Sequence, residues 1–435
     1  MIPLPEAFVS RMHRQLGNEL PDFLHALSLP PVRGIRMNIQ KPFDGMASFS
    51  SGCRIPWTEN GYILESESSA GSTVFHEAGA FYLQEPAAML PAEVMDVHPG
   101  DTVLDLCGAP GGKSTQMAEK MHGAGVIVCN EPVLKRAQVL SRNIERIGIA
   151  NSIVTCSYPS DFPHTWNESF DAVLVDAPCS GEGMFRRDPE TRTEWTQDKA
   201  SGCARRQREI LAEAARFVRP GGKLVYSTCT YNPEENEENI NTFLQNHADF
   251  ALEAFQMPEV DGKDGMFLCY PHRNAGEGQF VAKLRKKGIS SAVHFNTSFS
   301  LVKKDEIQFF RSAFPSFPHP NVRFGNVYAA VPPSPDLDGV RVLRAGLHLF
   351  EIKGKTFIPD HAVAICMNPL SVTEKELTED EVRKYISGGE LKGHEKGWTL
   401  MKYKGLRVGW GKGSDGRITN HYPKGLRKGR ILTES

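Results

Sequence analysis

The sequence predicts a doubly wound α/β fold built on a mostly parallel sheet, within a chain of two or three domains. Three observations predict it. From about Thr102 to Lys287, short β-rich runs alternate with helical patterns, and such alternation implies parallel strands joined by crossover helices. A glycine-rich turn, CGAPGGKS, follows the first of those runs, at the edge where a parallel sheet binds its ligands. The 435-residue length also exceeds one ordinary core, because domains usually run to about 100–200 residues.

Residues 1–90 begin with apolar positions at helical spacing and continue into the extended-looking PPVRGIRMNI, which predicts a small α+β segment. In the central domain, 91–288, strands are predicted at TVLDL (102–106), GVIVCN (125–130), SIVTC (152–156), DAVLVD (171–176), GKLVYST (222–228) and QFVAKL (279–284). Helices are predicted between them over 113–121, 134–147, 205–218 and 234–247. Two proline-punctuated stretches follow, FPSFPHP and VPPSPDLDG. Proline breaks both helix and strand, so 289–338 is predicted to be a linker or intermediate region and 339–435 a β-rich module.

Composition excludes several classes. Hydrophobic residues make up 40%, charged residues 23%, and the net charge is only −2, so any nucleic-acid surface has to be local. The opening MIPLPEAF lacks a basic stretch followed by an apolar one, and no run approaches the length of a membrane span, which predicts a cytoplasmic protein. Nine cysteines are scattered with no C-x-x-C pair, against a disulfide framework or a metal site. Six of them, Cys53, Cys129, Cys156, Cys203, Cys269 and Cys366, are expected to be small buried hydrophobes. No heptad pattern suggests self-association, so a monomer is expected. The hidden charge lies near the end: between Lys392 and Arg430 stand eleven Lys and Arg against Glu395 and Asp415. Trp398, Tyr403, Trp410 and Tyr422 are interleaved, as in a nucleic-acid surface that stacks bases, although aromatics in the core behind a solvated basic face give the same pattern.

The turn from Cys107 to Ser114 leads into a helix, so backbone N–H groups face whatever sits above the first strand. A phosphate-binding P-loop needs four residues between its first glycine and its Gly-Lys pair, whereas Gly108 and Gly112 enclose three. Gly108, Gly111 and Gly112 also miss the dinucleotide spacing. The remaining reading is S-adenosylmethionine, with Glu131 at the end of the second strand accepting from the ribose hydroxyls.

Cys179 follows the fourth strand in DAPCSGEGMF, and Cys229 follows the fifth in YSTCTYNPEEN. A doubly wound sheet delivers both to the edge that carries the glycine turn. Cytosine C5 is a poor nucleophile, but a thiolate added to C6 makes the ring an enamine able to accept a methyl group. A second group must then remove the C5 proton for release. Asp176 is placed to bond the N3/N4 edge of the ring, and Lys113 to favour the thiolate. The residues alone leave open which cysteine attacks.

The motifs FYLQEPAAMLP, VLDLCGAPGGKSTQ, DAPCSGEGMFRRDPE and YSTCTYNPEENE, in that order, resemble the Sun-type RNA (cytosine-5)-methyltransferases, in particular the bacterial RsmF group that acts on ribosomal RNA. The resemblance implies a Rossmann-like class I S-adenosylmethionine-dependent methyltransferase domain with a PUA-like RNA-binding domain at the C-terminus. It implies that Cys107, Gly108, Ala109, Pro110, Gly111, Gly112, Lys113, Glu131 and Asp176 contact the cofactor, with Arg136 supporting the loop. Cys229 becomes the nucleophile and Cys179 the release residue. DNA cytosine methyltransferases attack with the Pro-Cys cysteine instead; the Thr228-Cys229 pair sides with the RNA enzymes. Many relatives carry an aspartate after the third strand for the adenine, where this chain has Ser157 and Tyr158, with Asp161 further on.

The implied substrate is cytosine in ribosomal RNA or the small ribosomal subunit, reached by exposing the base. Arg186, Arg187, Arg205, Arg206 and Arg208 are candidates to line that approach, the last three equally explained as a solvated helix face. The alternatives are a transfer RNA substrate, a non-catalytic RNA-binding assembly factor and an NTPase.

Overall fold

Alternating burial along the central strands sets the architecture. In β1 (Thr102–Asp105), Val103 packs into one hydrophobic layer and Leu104 into another; in β2 (Val126–Asn130), Ile127 and Cys129 face the first layer, Val126 and Val128 the second. Strands that are apolar on both sides must be covered on both. Helices α1 (Gly112–Lys120) and α2 (Leu134–Ile147) cover the first face, α3 (Gln197–Phe217) and α4 (Glu237–Asn246) the second. The computed structural model describes the chain except for residues 1, 44–49, 66, 67, 291–294, 296–301, 305, 307, 309, 311–316, 355, 367–369, 434 and 435.

The sheet is completed by β3 (Ser152–Thr155), β4 (Phe170–Asp176), β5 (Val218–Thr228), β6 (Phe250–Leu252), β7 (Gln279–Lys286) and β8 (Val342–Ala345), in the order β6-β7-β5-β4-β1-β2-β3-β8. Strands β1 to β5 run parallel, while β6, β7 and β8 each pair antiparallel with their inner neighbour. The predicted elements are present, with shifted ends. Helix α3 begins at Gln197 rather than Arg205 because the Thr196 hydroxyl caps it, accepting the Lys199 N–H at 3.2 Å. Helix α4 begins at Glu237 rather than Glu234 because the preceding Pro-Glu-Glu-Asn stretch is held in a turn by its own side chains.

The N-terminal segment places helices Glu6–Leu16 and Leu20–Ser28 before an antiparallel sheet ordered Ser50–Arg54, Gly61–Leu64, Arg33–Met37, Phe81–Leu83. Downstream, two expectations are corrected. The region 289–338, expected to be a linker or intermediate region, is partly outside the described residues, as is the start of FPSFPHP. Its described part contains strands Val322–Phe324 and Val327–Ala330, which form a four-stranded sheet with Leu347–Lys353 and Thr356–Pro359. The prolines bound these strands instead of preventing them, and the burial of Val322, Tyr328, Leu349 and Phe350 stabilises the sheet. Strand β8, expected in the C-terminal module, belongs to the central sheet, where it satisfies the open edge of β3. The module proper is a five-stranded sheet, Thr373–Glu376, Gly397–Tyr403, Leu406–Ser414, Arg417–Asn420 and Leu391–Lys392, with helix Glu379–Ile386.

The end of the chain returns to its beginning. Val74 N–H donates to Leu432 O at 2.8 Å and Leu432 N–H to Ser72 O at 2.9 Å, and Phe75 and Phe81 share a core with Tyr385 and Tyr403. This corrects the reading of the basic tail as carrying four stacking aromatics: Tyr403 and Tyr422 are buried, and Trp410 is 1% exposed. Trp398 alone of the four stays half-buried, with the Lys412 ammonium 5.4 Å from its ring. Cys53, expected to be buried, is exposed on strand Ser50–Arg54, and Cys203 is only half-buried. Among the described residues, no helix is long and apolar enough to cross a membrane, and no group of three or more His, Cys, Asp or Glu could hold a metal ion.

Helix α2, strand β8 and helix His361–Ile365 meet at one half-buried carboxylate, Glu145. Burial would raise the Glu145 acid, but Arg344 and His361 hold it down at about 2; both donate to it, His361 Nδ1 at 3.0 Å. Arg344→Ala should therefore leave the half-buried Glu145 with His361 alone and cost about 2 kcal/mol, the loss expected for a hydrogen bond to a charged group, read as a lower midpoint in thermal unfolding.

Candidate active site

Strands β1, β4 and β5 are neighbours, so the segments leaving their carboxyl ends share one edge. The turn after β1 is organised by Asp105, which accepts the Ser114 hydroxyl at 2.6 Å and the Cys107 N–H at 3.3 Å. Gly111 caps α1 with φ 114°, and a Cβ there would sit 3.2 Å from Leu140. Glycine therefore meets both the backbone and the packing demand. Support also comes from the N-terminal sheet: Arg36, 1% exposed, donates to Gly112 O and Thr115 Oγ1, each at 2.7 Å, and pairs with Glu119 at 3.3 Å.

Over this turn lies a cleft of about 580 Å³, within the range of small-ligand sites. Its floor is Cys107, Gly108, Ala109, Pro110, Gly112 and Lys113, with Asp105 and Asp176. One wall comes from the N-terminal sheet, chiefly Tyr82, Gln84 and Glu85, the other from Met184, Arg187 and Asp188. Lys113 donates to Asp176 at 2.8 Å, and the Ser227 hydroxyl donates to the other oxygen of Asp176 at 2.7 Å. Burial alone would lower the Lys113 ammonium, yet Asp176 outweighs it and the net shift is upward. Burial, with Asp105, Asp176 and Glu131 close by, pushes the Cys107 thiol well up.

Gly111, Glu131 and Arg136 do not line the cleft. Glu131, 2% exposed at the end of β2, accepts the Val133 N–H at 3.0 Å and pairs with Arg136 at 3.3 Å. The Arg136 guanidinium also donates to Ala109 O at 3.2 Å, tying the carboxylate to the glycine turn. After β3, Ser157 O accepts from Asn130 Nδ2 at 3.0 Å, and Tyr158 is 65% exposed.

The two sulfurs of Cys179 and Cys229 lie 3.1 Å apart, on the same sheet edge as the glycine turn, and the Cys229 N–H points at Cys179 Sγ at 3.3 Å. Both thiols are half-buried and sit beside the cleft residue Asp176 without lining the cleft themselves. Contact with Cys229, then burial, pushes the Cys179 thiol well up. Their loops are laced together: Ser180 Oγ lies 2.9 Å from Thr230 Oγ1, Gly183 N–H donates to Cys229 O at 2.9 Å, and Asn236 accepts from Thr228 at 2.6 Å while donating to Thr230 O at 3.0 Å.

Of the arginines expected along the approach, Arg187 lines the cleft, and Arg205 and Arg206 are exposed on α3. Arg186 is corrected to a structural role. It is buried, donates to both oxygens of Glu277 at 2.9 Å, and reaches Ala26 O at 3.1 Å, so it anchors the N-terminal helices. Arg208 donates to Asn239 at 2.8 Å. Sequence reasoning missed Tyr82, Gln84, Glu85, Asp105, Ser227 and Glu235. All six lie within the four motifs, which was the available signal; nothing in the sequence pointed to Arg36.

Profiles of four families match in chain order: "N-terminal domain of 16S rRNA methyltransferase RsmF" over 4–86, "16S rRNA methyltransferase RsmB/F" over 92–285, "RsmF rRNA methyltransferase first C-terminal domain" over 308–367 and "Methyltransferase RsmF PUA domain" over 372–428. Relatives named ribosomal RNA small subunit methyltransferase F are similar end to end. The protein of Escherichia coli O81 is 32% identical, covering 99% of this chain and 98% of its own. That of Aliivibrio salmonicida is 30% identical over 99% of each. The chain belongs to the RsmF family. A methyltransferase homologue from Pyrococcus horikoshii is similar in structure, with a TM-score of 0.56 and 29% identity, covering 66% of this chain and 96% of its own. NSun6 of the same organism, 21% identical with a TM-score of 0.55 over 66% of this chain and 99% of its own, shares the fold. The RsmF profiles place two units after residue 307, in keeping with the two sheets found there.

Burial pushes Asp105 up to about 7, against the hydrogen bond from Ser114. Its folded pKa thus exceeds the unfolded one, so the native state holds an extra proton and this group's contribution to stability falls as pH rises from about 4 to 7. Asp105→Asn removes that dependence. Denaturation at pH 5 and pH 8 should show the variant gaining roughly 2 kcal/mol on the wild type between them, on top of a pH-independent offset for the lost acceptor.

Proposed function

We propose that this chain methylates C5 of cytosine in small-subunit (16S) ribosomal RNA, with S-adenosylmethionine as the methyl donor. The observation that carries this reading is the 3.1 Å contact between Cys179 and Cys229 beside the cleft over the glycine turn. The cleft fits such a donor: its volume suits a nucleoside-sized ligand, its floor is bare backbone at α1, and Lys113 and Asp176 supply charge of both signs. Cys107 to Lys113, Asp176 and Glu131 would hold it, with Arg136 fastening Glu131 to the turn. When bound, it supplies an electrophilic methyl group.

The chain's own residues do the rest. Lys113, paired with Asp176 at 2.8 Å, is the cation on this sheet edge that favours a thiolate. The Cys229 thiolate adds to C6, and the displaced ring electrons leave C5 nucleophilic. Asp176 bonds the N3/N4 edge and holds the ring in register. After methylation, Cys179 takes the proton from C5, and Cys229 leaves C6 with the electrons of the C–S bond, restoring the aromatic ring. Residues 1–90 and the basic C-terminal module are read as RNA-binding parts around the 91–288 methyltransferase domain, acting as a monomer on ribosomal RNA or the small subunit in the cytoplasm.

Incubation with labelled S-adenosylmethionine and ribosomal subunits, free ribosomal RNA or transfer RNA, followed by nucleoside analysis, should yield 5-methylcytosine from ribosomal RNA. Transfer only to transfer RNA would redirect the substrate, and no transfer at all would make the protein a binding factor. Cys179→Ala should accumulate a protein–RNA adduct, whereas Cys229→Ala should neither methylate nor cross-link; the reverse pattern would exchange their roles. Trp398→Ala should weaken RNA binding about tenfold in a filter assay, the loss expected for one stacked base.

A further inference from the structure

Two sulfurs in contact pose a problem that the mechanism leaves open: only one of them should be ionised, and it must be the right one. We propose that Glu235 is a positioning residue that keeps the proton of the thiol pair on Cys179, so that the thiolate forms on Cys229. This rests on the two-thiol reading above and adds a group that reading does not use.

The geometry is specific. Glu235 has no exposed surface. Its carboxylate accepts the Ser180 N–H at 2.9 Å, the Ser180 hydroxyl at 2.5 Å, Gln207 Nε2 at 2.9 Å and Asn232 Nδ2 at 3.3 Å. Four donors suit an ionised carboxylate, which has only acceptors to offer. Burial pushes this acid up, and the bonds from Ser180 and Gln207 oppose it. The first of these donors is the peptide N–H directly after Cys179, and Gln207 also donates to Pro178 O at 3.0 Å. Glu235 therefore grips the backbone on both sides of Cys179, directly and through Gln207, and sets a buried negative charge beside that sulfur.

The charged and titratable groups around the pair are unevenly placed. Lys113, paired with Asp176, interacts with Cys229, and Glu235 interacts with Cys179; Glu182, held by Arg11 and the Tyr231 N–H, neighbours Glu235, and Cys203 neighbours both Glu235 and Cys229. A buried anion disfavours a second anion next to it, while an ammonium favours one. With one proton between two sulfurs 3.1 Å apart, Cys179 keeps it in the resting enzyme and can donate it towards the Cys229 thiolate; once Cys229 is bound to C6, Cys179 gives that proton to solvent and becomes the base that takes the proton from C5. The Cys229 proton is the one lost to solvent.

The test is alkylation of the native, full-length protein with iodoacetamide near neutral pH, with each cysteine followed by peptide mass spectrometry. No RNA or methyl donor is needed, so this experiment can fail while methylation succeeds, and the reverse. In the wild type, Cys229 should be modified at least ~10-fold faster than Cys179, since only thiolates react. Glu235→Gln should shrink that ratio to within ~3-fold by speeding Cys179, and Glu235→Asp should give an intermediate value. A purely structural role would change both rates together and leave the ratio intact. The proposal is overturned if the wild type labels Cys179 first, or if a folded Glu235 variant keeps the wild-type ratio. Should Glu235→Gln not fold, as judged by labelling of buried Cys129 and Cys269, the ratio measured in Glu235→Asp decides between the two outcomes.

Discussion

The parallel pairing of β4 with β5, with Asp176 opposite Ser227, is the constraint from which the site follows. Cys179 lies three residues beyond the first and Cys229 two beyond the second, so this register brings both sulfurs to one spot and lets Ser227 bond Asp176. A one-residue slip would turn every following side chain to the opposite face. The apolar alternation on both faces of β4 and β5 forbids that slip, because it would exchange the residues of the two cores. The packing that stabilises the sheet thus also sets the distance between the two sulfurs.

Around that edge, charge is managed by pairing where it must be present and by burial where it must not. Lys113 is held as an ammonium by its contact with Asp176 inside the cleft, while Asp105 is drawn towards its neutral form by lack of solvent. Glu131 is retained by Arg136, and Glu235 by four donors. Each acid sits a few residues from a backbone turn that it organises. The polar groups of the site therefore serve as scaffold and as electrostatics at once, and their substitution effects should separate by pH and by reactivity ratio more clearly than by stability alone.

The flanking segments are not appendages. Tyr82, Gln84 and Glu85 build a cleft wall, Arg36 holds the start of α1, and Phe8 and Phe23 pack against Phe185 and Tyr231 next to the thiol loops. The last residues pair with Ser72 and Val74, so the C-terminal module is fastened to the same segment that walls the cleft. An RNA held by the module is thereby held in a defined relation to the sulfurs.

The amino-acid sequence by itself determined the strands, the glycine turn, both thiols and their Asp and Lys companions, because these are local patterns: apolar alternation, a turn before a helix, a cysteine at a strand end. It also carried a family resemblance strong enough to imply the chemistry. Tertiary structure alone decided the rest. Only packing distinguished Trp398 from buried Trp410, Tyr403 and Tyr422, turned Arg186 inward to Glu277, and drew Val342–Ala345 onto the edge of β3. Only the fold brought Glu235 to Ser180 and Arg36 to Gly112. Those contacts join residues far apart in the chain, and no local pattern specifies which distant partner will satisfy a buried polar group.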